Sequence, residues 1–314
     1  LRPPEQPLLG KVTFVVLRSK FFKETLGKST LTIIGLLIVL VTLSILLFLT
    51  WKGLSTFTAH NTSIIDFLFG SRWDPAMEYG QQSGPGGSAI FIFGSLSVSC
   101  LALVIATPFA VACAIFIVEI SPKLGNRFLQ PAIEIFVGIP SVVYGWVGVS
   151  VLCPFIASLF GMPFGGESVL AGGIVLAVMI FPTITTVSAD AIRSVPQEYT
   201  EAAYGLGATR WQMVSSVRLP AAKSGVLTGV ILGLSRAFGE ALAVSMVIGG
   251  RLAFPKGFLS QTSTLTTQIA SGMGSSADGT QWTDSLWSMA LVLFIISFLF
   301  IAVIRLIGRK KKEG

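Results

Sequence analysis

The sequence predicts an all-α membrane protein: six transmembrane helices, with a pair of short cytoplasmic helices between the fourth and fifth. Three features predict it: the apolar composition, six apolar runs of membrane length, and the one-sided placement of Lys and Arg. Of 314 residues, 52% are hydrophobic and only 12% charged, with a mean hydropathy of +0.79. Soluble domains carry about 25% charged residues, so a water-soluble fold is a poor reading. Helices of roughly 20 apolar residues cross the hydrocarbon core. Such runs lie at about 30–51, 89–118, 131–153, 168–189, 222–250 and 285–307. Pro108 interrupts the second and Pro140 the third, so tilt or a kink is expected in each.

The first run follows a basic stretch of about 30 residues without a small-residue cleavage site, so it is expected to be a span and not a removable signal. Orientation follows from the basic residues. Arg2, Lys11, Arg18, Lys20, Lys23 and Lys28 precede span one, and Lys123 and Arg127 follow span two. Arg193, Arg210, Arg218 and Lys223 lie between spans four and five, and Arg305, Arg309, Lys310, Lys311 and Lys312 end the chain. The alternate segments hold only Lys52, Arg72, Arg251 and Lys256, and Arg236 lies within span five. The positive-inside rule therefore places both termini and the segment between spans four and five in the cytoplasm. The expected organisation is a basic N-terminal segment (1–29), a six-span domain (30–307) and a basic tail (308–314). The six-span domain has outer loops at 52–88 and 251–284 and a cytoplasmic segment at 190–221.

The formal charge of +7 does not imply nucleic acid, because the basic residues sit at membrane edges, where they set topology and meet anionic headgroups. Cys100, Cys113 and Cys153 lie in or at the ends of apolar runs without CxxC spacing, which points to packing. His60, the only histidine, has no evident metal partners in the sequence. Gly27-Lys28-Ser29 matches the end of a phosphate-binding loop, but Phe22 stands where that loop requires Gly and no strand precedes it. No nucleotide site or other cofactor is expected in this chain, so transport driven by ATP would need a partner to hydrolyse it.

Segment 190–221 can be parsed locally. Ser194 with Gln197 reads as a capping box with Pro196 in the first turn, predicting a helix that stops near Gly205 to Gly207. Thr209 with Gln212 repeats the device, predicting a second helix to about Val217 that ends before Pro220. Val195, Tyr199, Ala202, Ala203 and Leu206 fall on one side of the first helix, and Trp211, Val214 and Val217 line the second. Together they predict one apolar surface. Small Ala202 and Ala203 permit close approach of a partner, Gly207 permits the turn and Glu201 offers a carboxylate, as helix-in-groove docking requires. A DNA-reading helix-turn-helix fails because the segment is tethered to the bilayer at both ends and Glu198 and Glu201 offset Arg210 and Arg218.

Span five carries a second constellation. Gly225, Gly229 and Gly233 repeat every four residues and continue as Ala237 and Ala241, a small-residue stripe suited to close helix packing. On a continuous helix Arg236 and Glu240 would lie within about 20° of that stripe, facing protein or a wet pathway. A charge near mid-membrane costs roughly 2.5–3.5 kcal/mol on insertion scales, so two on one helix need compensation. Two readings stay open: a mutually neutralised pair that locks helices, or an anion-attracting Arg236 tuned by Glu240. Glu134, near the start of span three, fits a structural role at the interface.

The spacing Glu201-Ala202-Ala203, three residues, Gly207, nine residues, Val217, one residue, Leu219-Pro220 resembles the EAA loop of ABC importer permeases. Ile133-Glu134 followed by Gly138-Ile139-Pro140-Ser141-Val142-Val143-Tyr144-Gly145-Trp146 resembles the signature of phosphate-importer permeases. Ser235-Arg236-Ala237-Phe238-Gly239-Glu240 is similar to their fifth-span motif, and Trp73-Asp74-Pro75 with Tyr79-Gly80 is similar to the PstC-type subunit. The likeness covers about residues 30–307.

The resemblance implies a MetI-like permease of a bacterial or archaeal cytoplasmic membrane. Its implied partners are a homologous PstA-type permease, two copies of a cytoplasmic ATPase that carry ATP and Mg, and an external phosphate-binding protein. It implies ATPase coupling at Glu201, Ala202, Ala203, Gly207, Leu219 and Pro220, and a substrate pathway at Arg236, Glu240, Ser141 and Tyr144. Ser260 to Thr280 is expected to meet the binding protein or line an outer gate. Sulfate, molybdate or phosphonate are alternative cargoes. An ion-coupled secondary transporter is a different class, disfavoured because no internal repeat is evident. A membrane-embedded enzyme is disfavoured because no cluster of His, Asp or Cys has metal or nucleophile spacing.

Overall fold

The computed structural model describes residues 9–76, 84, 86–162, 165–275 and 277–309, with side chains from residue 27 to residue 306. Tyr79, Gly80, Pro85, Arg2, Lys310, Lys311 and Lys312, and the side chains of Lys11, Arg18, Lys20, Lys23 and Arg309, lie outside the described residues.

Among the described residues the regular structure is helical. In chain order the helices are α1 (Leu9–Gly53), α2 (Ser55–Ala59), α3 (Ile64–Phe69), α4 (Ala89–Ile115), α5 (Pro122–Leu124), α6 (Gln130–Gly138), α7 (Ser141–Val147) and α8 (Cys153–Phe160). They continue as α9 (Val169–Arg193), α10 (Gln197–Gly205), α11 (Arg210–Met213), α12 (Leu219–Gly239), α13 (Leu242–Val247), α14 (Leu265–Gly272) and α15 (Gln281–Arg309). π-helical turns at Phe116–Ile120, Gly125–Leu129, Gly148–Leu152 and Val214–Arg218 carry the chain from one helix directly into the next or into its cap. Six helical stretches are long and apolar enough to cross a membrane: Gly27–Ala59, Ala89–Ile120, Ser141–Phe160, Val169–Arg193, Arg210–Gly239 and Gln281–Leu306.

The chain divides into two units, Leu1–Trp51 and Lys52–Gly314. The first is mostly α1, whose Leu, Ile and Val leave no polar face from Leu31 to Leu49. In the second, α9 is the central helix and packs along α4 and α12. Its Ala, Gly, Ile and Val side chains are buried on most sides, as expected of a helix enclosed by others. Ser168 caps its start, the hydroxyl accepting from the Ala171 amide at 3.2 Å. The middle core joins Val98, Ala102, Leu176, Ile180 and Ile184 to Ala243 and Val247. At one end Phe67, Trp73, Phe91 and Leu286 form a second cluster, with Trp73 edge-on to Phe91 and Trp282 at 5.4 Å each. At the other end Ile192, Val195, Ala203, Met213 and Val214 form a third.

Prolines act in three ways here. Pro108 lies inside α4 and Pro182 inside α9, and both helices run through them. Pro140 breaks the chain: Ile139 is extended (φ −71°, ψ 128°), Pro140 caps α7, and the membrane-length third helix is Ser141–Phe160 and not the expected 131–153. The residue before a proline is pushed out of the α region, and here that preference wins. Pro220 does not end the helix it was expected to end. It sits just after the π-helical turn 214–218, which joins α11 to α12 without a gap and takes up the i−4 bond that the missing N–H would otherwise interrupt.

Span five also differs. It was expected to run from 222 to 250, but the helix stops at Gly239, Glu240 is extended (φ −79°, ψ 118°), and α13 starts anew at Leu242.

Candidate functional site

Segment 190–221 folds as two helices around a tight turn. Gly207 adopts φ +81°, a left-handed conformation that L side chains disfavour by roughly 1–2 kcal/mol. Thr209 and Gln212 form the expected capping box: the Thr209 hydroxyl accepts from the Gln212 amide at 3.4 Å, and Gln212 Oε1 accepts from the Thr209 amide at 2.8 Å. The Ser194–Gln197 box does not form. α9 runs on to Arg193, so the Ser194 hydroxyl turns back to the Ala191 carbonyl (2.8 Å), and Pro196 stands at the cap of α10.

The expected single apolar surface is instead divided between two sides. Val195, Ala203, Met213 and Val214 turn inward and pack with Ile115, Ile192 and Ala222. Tyr199, Tyr204, Leu206 and Trp211 are exposed, Leu206 at 89%. Ala203 is therefore part of the support under α10, while Glu201 and Ala202 stay on the exposed side. Leu219 is half-buried against the same cluster and Pro220 is exposed.

Two groups of polar contacts tie this segment to its neighbours, and the sequence did not single out their key residue, Glu119. Glu119 lies in the π-helical turn after α4 with its side chain 6% exposed, and Oε1 meets Arg218 Nη1 at 2.6 Å. Arg210 Nη2 donates to the carbonyls of Glu119 and Ile120, the latter at 3.1 Å. Arg193 binds Asp190 (3.2 Å), Asn126 (2.9 Å) and Gln130 (3.0 Å), holding the end of α9 to the stretch before α6. The only hint in the sequence was an acid ending an apolar run just before Ser121-Pro122.

The second site forms where α7, α9, α12 and α13 meet. The glycine stripe of α12 lets it lie against α9: a Cβ on Gly225 would stand 2.3 Å from that of Ala191, and one on Gly233 2.7 Å from Ile184 Cγ1. That contact sets Arg236 beside α9, where Nη1 reaches Thr183 Oγ1 at 3.4 Å. Tyr144 of α7 lies within electrostatic range of Arg236, and its hydroxyl donates to the Phe136 carbonyl at 2.7 Å, bridging the break at Pro140. Ser141 opens the same helix one turn earlier. Gly145 brings α7 onto α13, since a Cβ there would meet Met246 Sδ at 2.8 Å and Ala243 Cα at 2.9 Å. The stretches from Gly138 to Trp146 and from Ser235 to Glu240 thus converge in space, which their separation in sequence does not reveal.

Arg236 and Glu240 do not pair. The chain break at Glu240 turns its carboxylate away, and Oε1 instead accepts the Ala243 amide at 3.1 Å, capping α13. The Glu240 carbonyl accepts from Thr266 (3.0 Å), and Ser95, Ser99, Thr264 and Thr266 line a cavity of about 10 Å³ beside it, room for one water. The mutually neutralised pair is therefore not the arrangement found. Thr264 caps α14 through its hydroxyl and Thr267, so the Ser- and Thr-rich stretch before α15 is structured by its own hydroxyls. Glu134 is exposed, 3.4 Å from Gln130 Nε2. His60 has a partner that the sequence did not suggest: Asp284, at 3.0 Å.

Comparison with known proteins agrees with this architecture. The family model for the binding-protein-dependent transport system inner membrane component matches residues 106–313. The chain is 47% identical, over 92% of each sequence, to a Bacillus subtilis protein described as a probable ABC transporter permease, YqgH. It is 35% identical to the phosphate transport system permease protein PstC of Pasteurella multocida, over 86% of each. To PstC of Mesorhizobium japonicum it is 33% identical, over 81% of this chain and 80% of that one. Among solved structures, a chain of a bacterial alginate ABC transporter superposes with TM-score 0.61 at 15% identity, covering 92% of this chain and 97% of that one. One of the inward-facing MetNI methionine transporter superposes with TM-score 0.54 at 19% identity, covering 70% and 94%. These two likenesses concern the fold alone. With six membrane-length helices, a MetI-like arrangement and a family match over two thirds of its length, the chain belongs to the binding-protein-dependent transport system inner membrane components, the multi-pass permeases of ABC importers.

Proposed function

We propose that this chain is the PstC-type permease subunit of a phosphate importer. A PstA-type permease completes the pathway, and two copies of a cytoplasmic ATPase supply the energy from ATP and Mg. An external binding protein delivers the anion. In this reading 1–29 and 308–314 are cytoplasmic, segment 190–221 faces the ATPase, and 251–284 faces the binding protein.

The observation that carries the choice of an anion is Arg236. It is a guanidinium within a membrane-length helix that reaches a neutral hydroxyl, that of Thr183, while Glu240 is committed to the Ala243 amide at the start of α13, and no ion pair of Arg236 is found among the described residues. A guanidinium left uncompensated by protein is stabilised by an oxyanion, which it can grip with paired N–H donors. Relatives at 33% and 35% identity named as phosphate permeases support phosphate among the oxyanions, whereas the name of the 47% relative specifies no cargo. Tight binding in the pathway is not required, because affinity can reside in the external protein and a deep site would slow release.

The exposed Tyr199, Tyr204, Leu206 and Trp211 supply the apolar anchors for docking, with Glu201 and Ala202 on the same segment. ATP binding would move this segment and open the pathway by alternating access. The test is reconstitution of the four components in vesicles, with ATP turnover measured against phosphate, sulfate, molybdate and a phosphonate. Phosphate-selective stimulation is expected; selective stimulation by another oxyanion would reassign the cargo, and transport by this chain without the ATPase would end the reading.

A further inference from the structure

Glu119 belongs to none of the segments assigned above to docking or to the pathway, yet it is one of the few carboxylates buried in the described core. It pairs with Arg218 across 99 residues of sequence, and the backbone carbonyls of Glu119 and Ile120 accept from Arg210. Both arginines belong to the continuous helix that leads from the docking segment through the π-helical turn 214–218 into α12. Glu119 sits in a π-helical turn of its own, at the end of α4. Two locally loosened turns therefore face each other, and charged contacts between them link the docking segment to the end of α4.

We propose that Glu119 is a positioning residue for transport, the attachment through which movement of the docking segment is carried into α4. Arg218 holds its carboxylate and Arg210 its carbonyl end. A displacement of α11 therefore pulls on the last turn of α4 as well as on α12, and two spans respond to one event at the docking surface. Arg218 Nε and Glu119 Oε1 are both buried without an aligned hydrogen bond, so the pair is held at 2.6 Å by charge. The inference rests on the reading of 190–221 as the ATPase-facing segment.

The decisive variant is Glu119→Gln combined with Arg218→Gln, which removes both buried charges and so avoids stranding either one. In the complete complex, hydrogen exchange is followed with and without ATP in 116–120 and 209–218. In the unmodified complex both stretches should respond to ATP. In the double variant the response should persist at 209–218 and fall sharply at 116–120, where only the Arg210 contacts to the carbonyls remain, and cargo moved per ATP should fall about tenfold, within the range for residues that carry coupling. Glu119→Asp should recover much of that ratio. If 116–120 still responds with 209–218 in the double variant, or its transport ratio equals that of the unmodified complex, Glu119 only packs the protein. Failure of the unmodified complex to import phosphate would instead overturn the cargo assignment, since the exchange measurement requires no cargo.

Discussion

The two ends of α12 handle charge in opposite ways. At its start the half-buried Arg218 meets the buried Glu119, charge on charge at 2.6 Å, and the helix continues unbroken from α11. At its far end Arg236 reaches the Thr183 hydroxyl and has no acid partner among the described residues, the helix stops at Gly239, and Glu240 is spent on the amide of Ala243. Both ends could have been neutralised by an acid, and only one is. The matched end suits a joint that must hold its neighbours together; the unmatched end is where, in the proposed function, an oxyanion would meet the guanidinium.

Four substitutions would break or sharpen that contrast. The largest effect is expected at the matched end: Glu119→Gln strands Arg218 in a buried place, and breaking a buried pair costs about 3–5 kcal/mol. Thermal unfolding of the purified subunit should register it, with most of the loss recovered when Arg218→Gln is added. No loss would mean that solvent already relieves Arg218. At the unmatched end Arg236→Gln should leave assembly intact and lower phosphate uptake about a hundredfold, the scale of losing a preorganised donor to an anion. Uptake at the normal rate would move Arg236 from the pathway to packing.

Smaller effects test what holds the two ends in place. Gly225→Ala puts a methyl 2.3 Å from Ala191 Cβ and should destabilise the α9–α12 contact by about 1–3 kcal/mol, visible as a lower melting temperature. An unchanged melting temperature would mean that the helices separate freely there. Smallest is Thr209→Ala, which removes half of the capping box and should cost about 1 kcal/mol, read as faster exchange of the amides in α11. Equal exchange rates would show that packing alone holds that helix.

Local chemistry was legible wherever local chemistry decided. The Thr209–Gln212 box, the turn at Gly207 and the close packing of the glycine stripe follow from residues within one or two turns of each other. Ser194 and Gln197 have the same spacing and failed, because the length of α9 consumed Ser194 as its end. Val195, Tyr199, Ala203 and Leu206 were read as one face, and the structure divides them: which side of a short helix is inside depends on where the ends of α4 and α9 lie, not on periodicity.

The apolar run lengths and the placement of Lys and Arg determined by themselves a six-span membrane protein, since bilayer thickness and the cost of exposing backbone to lipid leave few alternatives. The motifs also singled out segment 190–221 and Arg236. Only the tertiary structure decided that Pro140 breaks its helix while Pro220 is carried through, that Glu240 leaves Arg236 for Ala243, and that Glu119 finds Arg218. Glu119 and Arg218 lie 99 residues apart, while Pro140, Pro220 and Glu240 each had two local options between which the packing of neighbouring helices chooses.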